Sequence, residues 1–151
     1  MSLRDDVERA IPALLRHEGV WTGTYRTIDA GNRVVDQHAS RVECVFPASG
    51  EYHYVQRNRF TWPDGRTRDV AFGGVLDGDR ICWDTETFSG YGWATLDDVV
   101  LLTLDRKDAP DTSFTEIIVL GADPDHRVRT WHWFRDGVPF QRTLCDERRE
   151  T

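Results

Sequence analysis

The most restrictive feature of this chain is the spacing of its turn signals. From Val20 onward, apolar and polar residues alternate with a period of two, and short clusters rich in Gly, Asp, Asn and Pro interrupt the alternation at regular intervals. The clusters are Ala30-Gly31-Asn32, Pro47 to Gly50, Pro63-Asp64-Gly65, Asp77-Gly78, Leu96-Asp97-Asp98, Lys107 to Asp111, Gly121 to Asp125 and Asp136-Gly137. These residue types turn a chain because Gly, Asn and Asp tolerate positive φ and Pro presets a turn. The intervening stretches predict strands over about 20–29, 33–46, 51–62, 66–75, 79–85, 87–95, 98–105, 113–120, 127–135 and 138–147.

Ahead of the strands, residues 2–17 predict the one helix. Ser2 with Asp5 resembles a capping box. Leu3, Val7, Ala10, Ile11, Leu14 and Leu15 recur at helical spacing. Pro12 removes a backbone donor inside this stretch and predicts a break there. About ten strands joined by short turns, with one leading helix, describe a mainly β protein built as an antiparallel meander. A long meander exposes two edges unless it closes, and closure into a barrel removes both. The cone-shaped α+β fold of small polyketide cyclases is the alternative, but it needs several long helices before its sheet. No repeat, low-complexity stretch or linker divides the chain, so residues 1–151 are expected to form one domain, with the helix over 2–17 and the barrel over 20–147.

Composition narrows the function classes. Lys and Arg number 19 against 26 Asp and Glu, a net charge of −7, which argues against a nucleic-acid backbone as partner. No apolar run approaches the ~18 residues of a membrane span, so no membrane partner is expected. The N-terminus is charged and lacks the apolar stretch of a secretory signal. Cys44, Cys82 and Cys145 are odd in number and show no metal-type spacing. Each falls in an apolar strand, where a free thiol acts as a small hydrophobe, and a reducing, cytoplasmic location is expected. Six Trp, four Tyr and seven Phe form an aromatic load that suits a small barrel holding one ligand.

Alternation sorts each strand into faces. Over 51–62, Tyr52, Tyr54, Gln56, Asn58, Phe60 and Trp62 share a face that reads as buried. His38, Ser40, Val42, Cys44 and Phe46 share another, and so do Phe114, Glu116, Ile118 and Leu120. Over 127–135 the more apolar set is Val128, Thr130, His132 and Phe134, against a face that mixes Arg129, Trp131, Trp133 and Arg135. Over 138–147, Phe140, Arg142 and Leu144 point together. The interior therefore carries a polar minority. A buried Glu116 needs either a barrel-lining Arg or a wet, ligand-holding cavity.

The first strand reads Gly19-Val20-Trp21-Thr22-Gly23-Thr24-Tyr25. A Gly-x-Trp directly after a short N-terminal helix resembles the opening of the lipocalin-like, or calycin, barrels. The resemblance implies that Trp21 packs at the closed end beneath a basic side chain of the last strand, for which Arg142 stands in the expected place. The stretches 21–25, 54–65 and Arg129-Thr130-Trp131 are also similar to an uncharacterised bacterial family of lipocalin-like domains. That family implies a fold and a cavity and no settled activity. Haem-binding barrels of the superfamily share the Gly-x-Trp-x-Gly opening and place a ligating His near their final strands. Residues 138–151 hold none, His132 is one strand early, and no cofactor is expected.

No nucleophile elbow, phosphate-binding Gly loop, HExxH or EF-hand spacing occurs. His38, Glu116 and His132 are the residue types of a two-His, one-carboxylate metal site, but on three separate strands they are not expected to converge, and no metal is expected. The leading expectation is binding of a small hydrophobic or aromatic molecule among Tyr25, Tyr52, Tyr54, Trp83, Tyr91, Trp93 and Phe114, with His38, Gln56, Asn58 and Glu116 fixing its orientation. The alternative is a cofactor-free isomerase, cyclase, dehydratase or decarboxylase in which Glu116 or His132 carries the proton. The Arg129, Trp131, Trp133 and Arg135 face suits a pocket wall, a seat for the helix or the contact of a homodimer.

Overall fold

The computed structural model describes residues 1–151. The leading helix is broken as Pro12 requires, into α1 (Leu3–Ala10) and α2 (Pro12–Leu15), with Ile11 between them at φ −143°. The Asp5 N–H donates to Ser2 Oγ (3.1 Å) and the Ser2 N–H to Asp5 Oδ2 (3.0 Å), so two otherwise orphaned donors are satisfied reciprocally. No helix is long and apolar enough to cross a membrane.

The strands are β1 (Gly19–Asp29), β2 (Val34–Val45), β3 (Tyr54–Thr61), β4 (Thr67–Asp77), β5 (Arg80–Asp84), β6 (Phe88–Ala94), β7 (Val100–Arg106), β8 (Thr112–Leu120), β9 (His126–Arg135) and β10 (Val138–Arg149). Each pairs antiparallel with its neighbours in sequence, and β1 pairs with β10 as well, which closes the barrel. The turns carry the backbone their sequences call for. Asp136 (φ 52°) and Gly137 (φ 77°) both lie at positive φ, the pattern of a two-residue hairpin turn matched to sheet twist. The β4–β5 ladder is the shortest, running only from Val75–Cys82 to Asp77–Arg80, and Thr67 to Phe72 have no strand partner on that side.

The helices close one end of the barrel. Val7, Ile11 and Leu14 pack with Phe46, Ile81, Trp83, Val100 and Leu104 into the largest core cluster. Trp21 is fully buried at this end and donates from Nε1 to the His17 carbonyl (3.0 Å). Two guanidiniums lie over its indole, Arg127 at 4.5 Å and Arg149 at 4.3 Å from the ring centre. Arg149 is the basic residue of the last strand, and it also donates to the carbonyls of Arg16 (2.9 Å) and Glu18. Arg142 does not fill this place. It sits seven residues earlier in β10, opposite Ile28 and His132, on the outer side of the sheet. The inner positions of β10 are Gln141, Thr143, Cys145 and Glu147, so the face expected from Phe140, Arg142 and Leu144 is inverted. The reason is electrostatic: Glu147 is drawn inward by Arg127 and Arg129, at the expense of the more apolar set.

Candidate ligand cavity

Above the helix-capped floor the barrel encloses a cavity of about 470 Å³. Leu14, His17, Phe46, Ile81 and Val100 form its floor; aromatic side chains of most strands form its wall; Val35, Asp36, Trp62, Arg68, Thr87, Arg106 and Gln141 surround the opposite end. Inner positions of β6 are Phe88, Gly90 and Gly92. A Cβ on Gly92 would meet the Trp83 ring at 3.2 Å, so the glycine makes room for that indole in the wall.

Two polar constellations lie among the aromatics. On β3, period-two spacing stacks Tyr54, Gln56 and Asn58 along one line. The Tyr54 hydroxyl donates to Gln56 Oε1 (2.6 Å), and Gln56 Nε2 donates to Asn58 Oδ1 (2.9 Å). The chain of donors ends on the Asn58 amide group beside the cavity. Near the end opposite the helices, His38 Nδ1 lies 2.7 Å from Asp36 Oδ2, and the second Asp36 oxygen accepts from Trp62 Nε1 (2.9 Å). The imidazole is packed among Tyr25, Phe60 and Trp62 with ring centres 5.1, 5.0 and 4.5 Å away. His38 Nε2, Trp83 Nε1 and Trp131 Nε1 are buried on lining residues without a hydrogen-bond partner.

The third constellation is ionic. Glu147 Oε1 accepts from Arg127 Nε (2.7 Å) and Arg129 Nε (2.8 Å), while Arg129 Nη1 donates to Glu116 Oε2 (3.1 Å) and Nη2 to the Tyr25 hydroxyl. Arg127 Nη1 approaches His17 Nδ1 at 3.3 Å. All six residues are buried. Burial pushes the Glu116 carboxyl above its usual range, with Arg129 opposing. For Glu147, burial is outweighed by the two guanidiniums, which hold the carboxyl below that range. Burial, then Arg127, pulls His17 down to about 3, so it is neutral here. Two guanidiniums facing two carboxylates make this floor a locked ion network rather than a free charge.

Tyr25, His38, Tyr54, Gln56, Asn58, Trp83, Phe114 and Glu116 therefore line one cavity, as their strand faces imply. Four others do not. Tyr52 precedes β3, is 38% exposed, and lays its ring over Gly73, where a Cβ would stand 2.3 Å from it. Tyr91 and Trp93 lie on the outer face of β6 with ring centres 5.6 Å apart, and the Arg80 guanidinium covers Tyr91 at 4.3 Å. His132 is exposed on the outer face of β9, opposite Thr115 and Arg142. It is remote from His38 and Glu116 through the wall, so these three residues form no common centre.

The face of β9 is inverted for the same reason as that of β10. Arg127, Arg129, Trp131 and Trp133 point inward and Val128 is 38% exposed. The Arg–Trp face is thus a cavity wall, which removes it as a dimer contact; only Arg135 remains exposed, over the Phe140 ring at 4.1 Å. The sequence signal was charge complementarity at period two. Arg127-x-Arg129 on one strand stands across a hairpin from Glu147, and same-face partners of opposite sign outweigh a modest difference in hydropathy.

No family model and no curated protein matches the chain. Solved structures do. The chain is similar to a protein of unknown function of the DUF3598 family from Nostoc punctiforme, with 17% identity and a TM-score of 0.64, covering 91% of this chain and 49% of that one. The chain thus spans about half the length of that protein. It is similar to the S-type phycobiliprotein lyase CPES from Guillardia theta, with 14% identity and a TM-score of 0.72 over 100% of this chain and 94% of that one. It is also similar to Rv2717c from M. tuberculosis, at 13% identity and a TM-score of 0.61, covering 94% and 98% of the two chains. At these identities the likeness establishes the fold: a closed barrel of ten antiparallel strands opened by a short helical segment.

Proposed function

We propose that the protein binds one small apolar or aromatic molecule inside the barrel. The observation that carries this reading is the cavity itself, about 470 Å³ of space walled by aromatic rings. Protein interiors are ordinarily packed without voids much larger than a water molecule. A space of this size lies in the roughly 300–1,000 Å³ range of small-molecule sites. Tyr25, Trp83, Phe114, Trp131 and Trp133 supply planar apolar surface, and the Tyr54–Gln56–Asn58 chain supplies a directional polar contact. Glu116 touches the cavity but is committed to Arg129, so it reads as part of the floor and an orienting charge rather than as a free proton carrier.

A thermal-shift panel of small aromatic and aliphatic molecules tests this reading. Ligand at a hundred times its Kd stabilises the folded state by about 2.7 kcal/mol. For a domain near 150 residues this raises Tm by roughly 5–10 °C. A panel that moves Tm nowhere, with tryptophan fluorescence equally indifferent, would contradict it.

A further inference from the structure

We infer that the ligand of this cavity carries an oxyanion, a carboxylate or its equivalent, which is held by Arg68 at the end of the barrel opposite the helices. The inference rests on the cavity-binding reading above and adds the chemical class of the ligand. Seven charged side chains occupy inner-facing positions or line the cavity, and six have committed partners. Arg127, Arg129, Glu116 and Glu147 neutralise one another at the floor. Asp36 gives one oxygen to His38 and the other to Trp62. Arg106 holds Asp108 through two bonds, Nε to Oδ1 (2.8 Å) and Nη2 to Oδ2 (2.6 Å). Of these seven, only Arg68, exposed at the rim, makes no hydrogen bond and no ion pair, and it lines the cavity.

Its placement suits an anion. Arg68 pairs across the ladder with Phe60, an inner position, so its stem rises from the aromatic wall and its guanidinium reaches the opening. It stands on the stretch of β4 that has no ladder partner on the β5 side. The Asp108 carboxylate near it has both oxygens engaged by Arg106, and Asp36 at the same end of the cavity is engaged by His38 and Trp62. An incoming oxyanion therefore meets one unpaired planar donor, with five N–H groups in a geometry matched to a carboxylate. The apolar part of the same molecule would lie inward, among the rings, where its burial is favourable.

Two fluorescent probes with the same ring system separate the claims. 8-Anilinonaphthalene-1-sulfonate carries an oxyanion, and N-phenyl-1-naphthylamine lacks it. Both are titrated at low salt into the full chain, into Arg68→Gln, and into Arg59→Gln, an outward-facing control with the same change in net charge. The expected result is that Arg68→Gln weakens the sulfonate probe about five- to tenfold. The neutral probe changes less than twofold, and Arg59→Gln moves neither. Equal affinity of the sulfonate probe for wild type and Arg68→Gln, or equal losses in both arginine variants, overturns the assignment of Arg68 while leaving the cavity reading intact. Failure of both probes to bind wild type overturns the cavity reading and the inference together.

Discussion

Glu147 has no exposed surface and accepts from Arg127 and Arg129 at 2.7 and 2.8 Å. Removing one member of a buried ion network leaves its partners uncompensated, at a cost of about 3–5 kcal/mol. Glu147→Gln is therefore expected to lower stability by that amount in urea denaturation. Glu43→Gln, which breaks the exposed pair with Arg57 (2.9 Å), should change it by less than about 1 kcal/mol. The same network makes a prediction for pH. His17 titrates near its ordinary 6.5 when unfolded but is held at about 3 when folded, by burial and then Arg127. The unfolded chain thus binds the proton first, and stability is lost as pH falls from 6.5 toward 3. Between pH 6.5 and 4.5 this amounts to about 2–3 kcal/mol. Glu147, held low, adds a loss as pH falls through the ordinary carboxylate range; Glu116, raised by burial, works in the opposite sense. His17→Gln should flatten the limb between pH 6.5 and 4.5 in a series of urea melts. An unchanged slope would show that the wild-type loss arises elsewhere.

At the scale of elements, the β1–β10 seam closes the barrel, and Gly23 sets its spacing. A Cβ there would stand 2.1 Å from the Asp146 carbonyl oxygen and 2.9 Å from Glu147 Cγ. Gly23→Ala must push apart the strands that seat Glu147, and overpacking of this kind costs about 1–3 kcal/mol. A chemical melt that shows no loss would mean the seam can yield. The helical segment has a different task. Leu14 is 8% exposed, belongs to the main core cluster and touches the cavity floor. Leu14→Ala is expected to cost about 2–4 kcal/mol. It should also enlarge the cavity and shift preference toward longer ligands in the probe panel.

At the scale of the whole molecule, most strand ends were legible from turn chemistry, because seven of the nine turns hold a Gly, Asn or Asp at positive φ and those residues are visible one by one. Pro12 was legible because it lacks the backbone donor that a continuous helix needs. Faces were legible where one side of a strand was clearly more apolar, as in β3 with Tyr54, Phe60 and Trp62. They were not legible in β9 and β10, where Arg127, Arg129 and Glu147 face inward because they neutralise one another across strands. Hydropathy ranks each strand alone and cannot register a partner on the next one. In β6 the error ran the other way. Gly90 and Gly92 take the inner positions where large side chains would not fit, and Tyr91 and Trp93 are left outside. Resemblance to the Gly-x-Trp opening named Arg142 as the partner of Trp21, where the structure has Arg149 and Arg127 over the indole.

A binding cavity must lose its ligand when its space is obstructed. Val70 lines it from β4, opposite Asn58, and lies outside the core clusters, so Val70→Trp should obstruct the cavity without breaking the barrel. The direct test is a fluorescence titration of N-phenyl-1-naphthylamine against wild type and Val70→Trp, with far-ultraviolet circular dichroism confirming that both are folded. Saturable binding of one probe per barrel is expected in wild type, with at least tenfold weaker binding in the variant. Equal affinity in two folded proteins would contradict binding inside the barrel.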